Sequence, residues 1–193
     1  DLVVNEVQRV ERRIRRLQTI LDISVQWRHT QRMDDLLLQM AQASTRLLEA
    51  ERASVFLWDK SAKTLVGRPA LGVEDGELRI ADDTGIVGQV VHTGQTLRVD
   101  SEEDSGEIDR RVDEQLNFQT RNLICAPLRT PSGKMFGAFE VLNKKAGNFS
   151  QEDADALTEL AVHAAAALEC TQQYEQLLKA HSQLTDEAAA RVQ

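Results

Sequence analysis

The chain has 193 residues, 41% of them hydrophobic and 4% aromatic, with a formal net charge of -8 and a pI of about 5.1. That length buries one core of ordinary size and leaves residues over at both ends. The acidic balance argues against nucleic-acid binding by net field, and no run of ~18 apolar residues or apolar leader core provides a membrane span or an export signal.

The first element expected is a charged helix from Leu2 to Trp27. Its apolar residues Val3, Val7, Val10, Ile14, Leu17 and Leu21 follow the alternating four-three spacing of a coiled-coil seam. The arginines between them, Arg9, Arg12, Arg13, Arg15 and Arg16, read as the solvated face of a dimer helix with interhelical charge pairs rather than as a basic patch for nucleic acid or membrane. Trp27 reads as an anchor where this helix meets the domain. A second helix, Arg32 to Ala50, places Met33, Leu36, Leu37, Met40, Ala43, Leu47 and Leu48 on one face, as a helix lying on a sheet requires.

Ala53 to Trp58 then reads as a strand, Asp59 to Lys63 as a hairpin turn and Thr64 to Ala70 as the returning strand, weakened by Gly67. A short strand at Leu78 to Ile80 leads into Asp82 to Val91, where Gly85 and Gly88 open a small helix that Gly94 ends before a strand from Thr96 to Asp100. Ser101 to Gln119 is a long acidic connection, with Ile108, Val112, Leu116 and Phe118 at near-helical spacing, and reads as an ordered lid. Two further strands follow, Leu123 to Leu128 and Phe136 to Leu142, joined by the turn residues Pro131, Ser132 and Gly133. This order predicts an α+β fold: an antiparallel sheet with helices segregated to its faces.

Glu140 stands out as a carboxylate inside an otherwise apolar strand, which needs a ligand, a water-filled cavity or a donor beside it. After Phe149 the chain turns helical again, with Ser150 as N-cap and Asp153 three residues on, a start resembling a capping box. Leu157, Leu160, Ala161, Ala164, Ala165 and Leu168 form a small-residue face expected to approach a partner helix closely, and Tyr174, Leu177, Leu178, Leu184, Ala188 and Val192 continue as a weaker seam. The helix runs to the last residue without a breaker, so the chain is expected to be a piece cut before an output domain.

Thr120 to Leu128, followed by Gly137 to Lys144, Phe149 and Asp153, resembles the GAF domain family, and more narrowly the cyclic-nucleotide-binding GAF domains of phosphodiesterases and bacterial adenylyl cyclases. The likeness covers roughly Met33 to Leu168. Asn143, Lys144, Phe149 and Asp153 match that family's Asn-Lys, Phe and Asp-Glu motif, while Ala154 stands in place of the final Glu. The resemblance implies an internal Lys144–Asp153 ion pair that closes the pocket. It further implies a ligand site made of Ser54, Ile86 and Val87 at the start of the small helix, Asp113 and Thr120 from the lid, and Glu140. The phosphate is then expected on backbone N–H groups near Gly85 to Gly88, and hydroxyls and carboxylates on the purine edge. Leu116 falls where the family has a polar lid residue and Ala70 where an aromatic often packs on the base, departures that imply lower affinity or another ligand.

No nucleophile–base pair or metal constellation stands out. His29, His92, His163 and His181 are scattered, with His92 read as a helix-end residue, and Trp58 reads as a strand residue. Cys125 and Cys170 read as core or interface filler, which suits a reducing, cytoplasmic setting. The organisation expected is a coiled-coil linker helix over 1–30, a GAF domain over 31–168 and a second linker helix over 169–193. The function expected is a non-enzymatic sensor that binds cAMP or cGMP, dimerises through its terminal helices, and signals to an absent output domain without nucleic acid or membrane. The alternatives are a sensor of another small metabolite and a ligand-free dimerisation module.

Overall fold

The structure, a computed structural model, describes residues 2–68, 76–100, 111, 113–114 and 118–192. Its elements are α1 (Leu2–Arg28), α2 (Met33–Leu47), β1 (Ala50–Asp59), β2 (Thr64–Arg68), β3 (Leu78–Ala81), α3 (Gly85–Thr93), β4 (Leu97–Asp100), β5 (Asn122–Arg129), β6 (Met135–Lys144) and α4 (Gln151–Arg191). The strands form one six-stranded sheet in the order β3-β2-β1-β6-β5-β4 with every neighbouring pair antiparallel, so the α+β class expected from the element order is the one observed.

Strand alternation sends side chains to two different environments. On one face Val55, Ile124, Ala126, Leu128, Phe139 and Val141 pack with Leu36, Leu37 and Met40 of α2 and with Leu157, Leu160, Ala161, Ala164 and Leu168 of α4. The alanines of α4 bring that helix close to the sheet, so the stripe expected to approach a partner helix is instead buried against the chain's own strands. On the other face Phe56, Leu65, Leu78, Leu123, Cys125 and Ala138 pack with Ile86, Val87, Val90 and Val91 of α3. Gly67 faces Phe56 across β1 and β2, and a Cβ there would lie 2.6 Å from the ring; the glycine that weakened the strand in sequence makes room for the aromatic. Gly94 ends α3 in the left-handed region with φ of 69°, as expected of a C-terminal glycine.

Three boundaries differ from expectation. The second helix stops at Leu47, because Glu49 takes φ of 51° and Ala50 to Arg52 join β1, where they pair with Leu142 to Lys144. β6 likewise extends past Leu142 to Lys144. The expected strand end at Pro69 and Ala70, and most of the Ser101 to Gln119 connection including Leu116, lie outside the described residues.

α1 packs on α4 through Ile20, Ser24 and Trp27, with Trp27 only 2% exposed. Arg16 meets Asp153 near the start of α4 at 2.7 Å, and Thr171 donates to the carbonyl of Thr30 at 3.2 Å, so the two helices run side by side in the same direction. The seam residues Val7, Val10, Ile14, Leu17 and Leu21 are all exposed, as are Tyr174, Leu177, Leu178 and Leu184 of α4. α4 has 41 residues, a length of about 60 Å, and only its first half is covered by the domain. Cys125 is buried, but Cys170 is exposed and fills no core within the chain. Among the described residues no helix is long and apolar enough to cross a membrane.

Candidate functional site

Ser54 and Glu140 face each other directly across β1 and β6, and Cys125 of β5 flanks Glu140 on its other side. All three leave the sheet on the α3 side, because they alternate in step with Phe56 and Ala138 of that face. Ser54 and Glu140 are half-buried, while Phe56, Cys125 and Ala138 are buried. Burial first, and then the neighbouring Asp113, push the Glu140 carboxyl from 4.5 up to about 7. Glu140 in turn adds to the burial that drives the Cys125 thiol well above its usual value.

Ile86 and Val87 occupy the first turn of α3 with buried side chains. Thr84 is the N-cap in extended conformation and makes no side-chain cap bond, so the first-turn N–H groups of Gly85, Ile86 and Val87 have no acceptor earlier in the helix. Asp113 and Thr120 are brought together. The Thr120 backbone N–H donates to one Asp113 carboxylate oxygen at 2.9 Å and the Thr120 hydroxyl to the other at 2.6 Å. The described end of the connection is thereby tied to the start of β5.

Lys144 and Asp153 form an ion pair at 3.2 Å, and the capping box of α4 is complete, Ser150 and Asp153 each accepting the other's backbone N–H. Lys144 also donates to the carbonyl of Leu48 at 2.9 Å, which joins α2, β6 and α4 at one point. Burial alone would raise the Asp153 pKa, but the Ser150 N–H, Arg16 and Lys144 together hold it below its usual value. Sequence reasoning gave Arg16 to a solvated dimer face; within the chain it is a ligand of Asp153 instead. Arg9 makes a looser pair with Glu152 at 3.7 Å.

Two further groups take roles that the sequence alone did not assign. Asn143 is fully buried with φ of 58°, and its side chain accepts from Arg121 N–H at 2.7 Å while donating to the carbonyl of Gln119 at 2.8 Å and to Glu51 at 3.1 Å. Asn122 reciprocates by accepting the Lys144 N–H at 2.8 Å. The two asparagines staple the connection's end to the end of β6, and the left-handed Asn143 is the strained point that this network holds. Arg52 of β1 is the second group: its guanidinium carbon lies 4.0 Å from the centre of the Phe118 ring, and its Nη1 is buried with no acceptor among the described residues. An Asn-Lys pair ending a strand was the available signal for the staple; nothing local marked Arg52. Trp58 donates to Asp82 at 3.0 Å and meets the edge of His92 near the end of α3. Among the described residues no group of three or more His, Cys, Asp or Glu is placed to hold a metal ion.

This arrangement defines a class: a small α+β domain with one sheet face sealed by long helices and the other offering polar groups beside a short helix. The chain belongs to the GAF domain family, whose profile matches residues 32–168. It is 27% identical over 157 residues to a protein of Caenorhabditis elegans named as a probable 3',5'-cyclic phosphodiesterase, covering 75% of this chain and 21% of that one. It is 31% identical over 124 residues to a dual 3',5'-cyclic-AMP and -GMP phosphodiesterase of Drosophila melanogaster, covering 55% and 8% respectively. The chain therefore spans a small part of either relative's length. In fold it resembles the GAF domain from a phosphoenolpyruvate-protein phosphotransferase of Coxiella burnetii, with a TM-score of 0.70, 17% identity, and coverage of 83% of this chain and 96% of that one.

Proposed function

We propose that this domain is a cytoplasmic sensor that binds a cyclic nucleotide, cAMP or cGMP, between the sheet and α3, and regulates rather than catalyses. The observation that carries this reading is Glu140: a carboxyl on a central strand, raised to about 7 by burial, with no hydrogen bond among the described residues. A native chain keeps such a group at a cost, and a ligand edge that pairs with it offsets that cost. Ser54 opposite, Asp113 and Thr120 beside it, and the first-turn N–H groups of α3 around Ile86 and Val87 complete the binding set. The kinship with cyclic-nucleotide phosphodiesterases supports the ligand class.

The Lys144–Asp153 pair closes this pocket indirectly, by fixing the end of the strand that carries Glu140 to α1, α2 and α4. Occupancy then passes to an output domain through α1 and α4. The exposed seam of α1, with its large apolar residues in register, is covered by the same helix of a second copy. A ligand shifts that helix packing only by its differential affinity for two arrangements.

Calorimetric titration of the purified chain with cAMP and cGMP tests the ligand. Binding is expected, together with thermal stabilisation of about 2.7 kcal/mol at a hundredfold excess over Kd. No binding up to millimolar nucleotide would sink the reading. Sedimentation of Ile14→Asp tests the dimer: the variant is expected to run as monomer with unchanged domain circular dichroism. One observation favours the ligand-free dimerisation module instead, namely that both Asp113 oxygens are already taken by Thr120; under that reading the seam variant alone would have an effect.

A further inference from the structure

Arg52 lies two residues before Ser54 on β1 and opposite Leu142 of β6, so its side chain leaves the sheet on the face that carries Ser54 and Glu140. The Phe118 ring, 4.0 Å from the guanidinium carbon, holds the plane of that group. Nη1 is buried and has no acceptor among the described residues. The adjacent carboxylate of Glu51 feels the Arg52 charge but makes its hydrogen bonds to Arg121 at 2.7 Å and to Asn143 at 3.1 Å. A buried cationic N–H without an acceptor is costly, and a bound molecule that brings an oxygen removes the cost.

We propose that Arg52 determines specificity at this site, donating from Nη1 to the 6-oxo group of a guanine base, so that the domain selects the cyclic guanosine monophosphate over its adenosine counterpart. The inference rests on the cyclic-nucleotide reading above and names the base that reading left open. Guanine offers acceptors at O6 and N7, and donors at N1 and N2; adenine turns an amino donor toward the position where guanine has O6. A fixed guanidinium donor therefore meets an acceptor in one base and another donor in the other. Glu140 on the same sheet face complements the choice, since an ionised carboxylate accepts from the guanine N1 and N2 donors.

The test is calorimetric titration of the chain and of Arg52→Met with cGMP, cAMP and cyclic inosine monophosphate, which keeps the 6-oxo group and lacks the 2-amino group. The chain is expected to bind cGMP and the inosine analogue of order tenfold or more tighter than cAMP. Arg52→Met is expected to lose that ratio while its affinity for cAMP changes little. A chain that binds cAMP as tightly as cGMP overturns this assignment and leaves the site reading standing, as does a variant that weakens all three ligands equally. Failure of every cyclic nucleotide to bind overturns both. The preference of the unaltered chain is measured without the variant, so a folding defect in Arg52→Met, read by circular dichroism, does not rescue the proposal.

Discussion

The two faces of the sheet treat a carboxylate in opposite ways. On the helix face Asp153 is buried but takes a backbone N–H from Ser150 and cationic donors from Arg16 and Lys144, and its pKa is held down. On the α3 face Glu140 has Ser54 and Cys125 beside it, an acidic neighbour in Asp113, and a pKa raised to about 7. The first is the pattern of a group that holds elements together. The second is the pattern of a group that awaits a partner, because no described residue donates a hydrogen bond to it.

The largest effect that sharpens this contrast is expected at Asp153. Asp153→Ala leaves Lys144 and Arg16 without their shared anion and removes half of the capping box, a loss of about 3–5 kcal/mol read by urea unfolding. Because the folded pKa is depressed, the stabilisation is present above the unfolded value and fades as pH falls through the folded one, so the variant and parent should converge in acid. A loss under about 1 kcal/mol would mark the cluster as a surface network of little weight.

Glu140→Gln should act with the opposite sign. The folded chain keeps the Glu140 proton up to about pH 7, whereas the unfolded chain releases it near 4.5, so the contribution of this group to stability is full below the lower value and declines between the two. The glutamine variant should therefore be more stable than the parent by about 3 kcal/mol above neutrality, match it in mild acid, and lose nucleotide binding. A variant that is less stable at every pH would mean that Glu140 already has a partner. A smaller effect is expected at Ser150→Ala, which removes one capping acceptor and should cost about 1 kcal/mol without moving the Glu140 titration.

The sequence showed the sheet and its helices because their apolar periods differ and because Gly94 and Ser150 punctuate them by local chemistry. It overran α2 because Leu47 and Leu48 continue the apolar stripe while the reversal sits at Glu49, a residue with no intrinsic preference for the left-handed region. Glu140 was legible as an acid among apolar neighbours. Arg52 was not, since its meaning comes from Phe118 across the fold and from a missing acceptor, neither of which leaves a mark in the surrounding residues. Arg16 was misassigned for a related reason: a charge on a coiled-coil helix looks solvated until the buried anion from the far end of the domain arrives beside it.

The most direct test of the central claim is nuclear magnetic resonance of the labelled Glu140 carboxyl, titrated with and without cyclic nucleotide. The account predicts a midpoint near 7 in the free chain and a clear displacement of that midpoint when nucleotide is bound. A midpoint near the ordinary 4.5 that nucleotide leaves unmoved would contradict it.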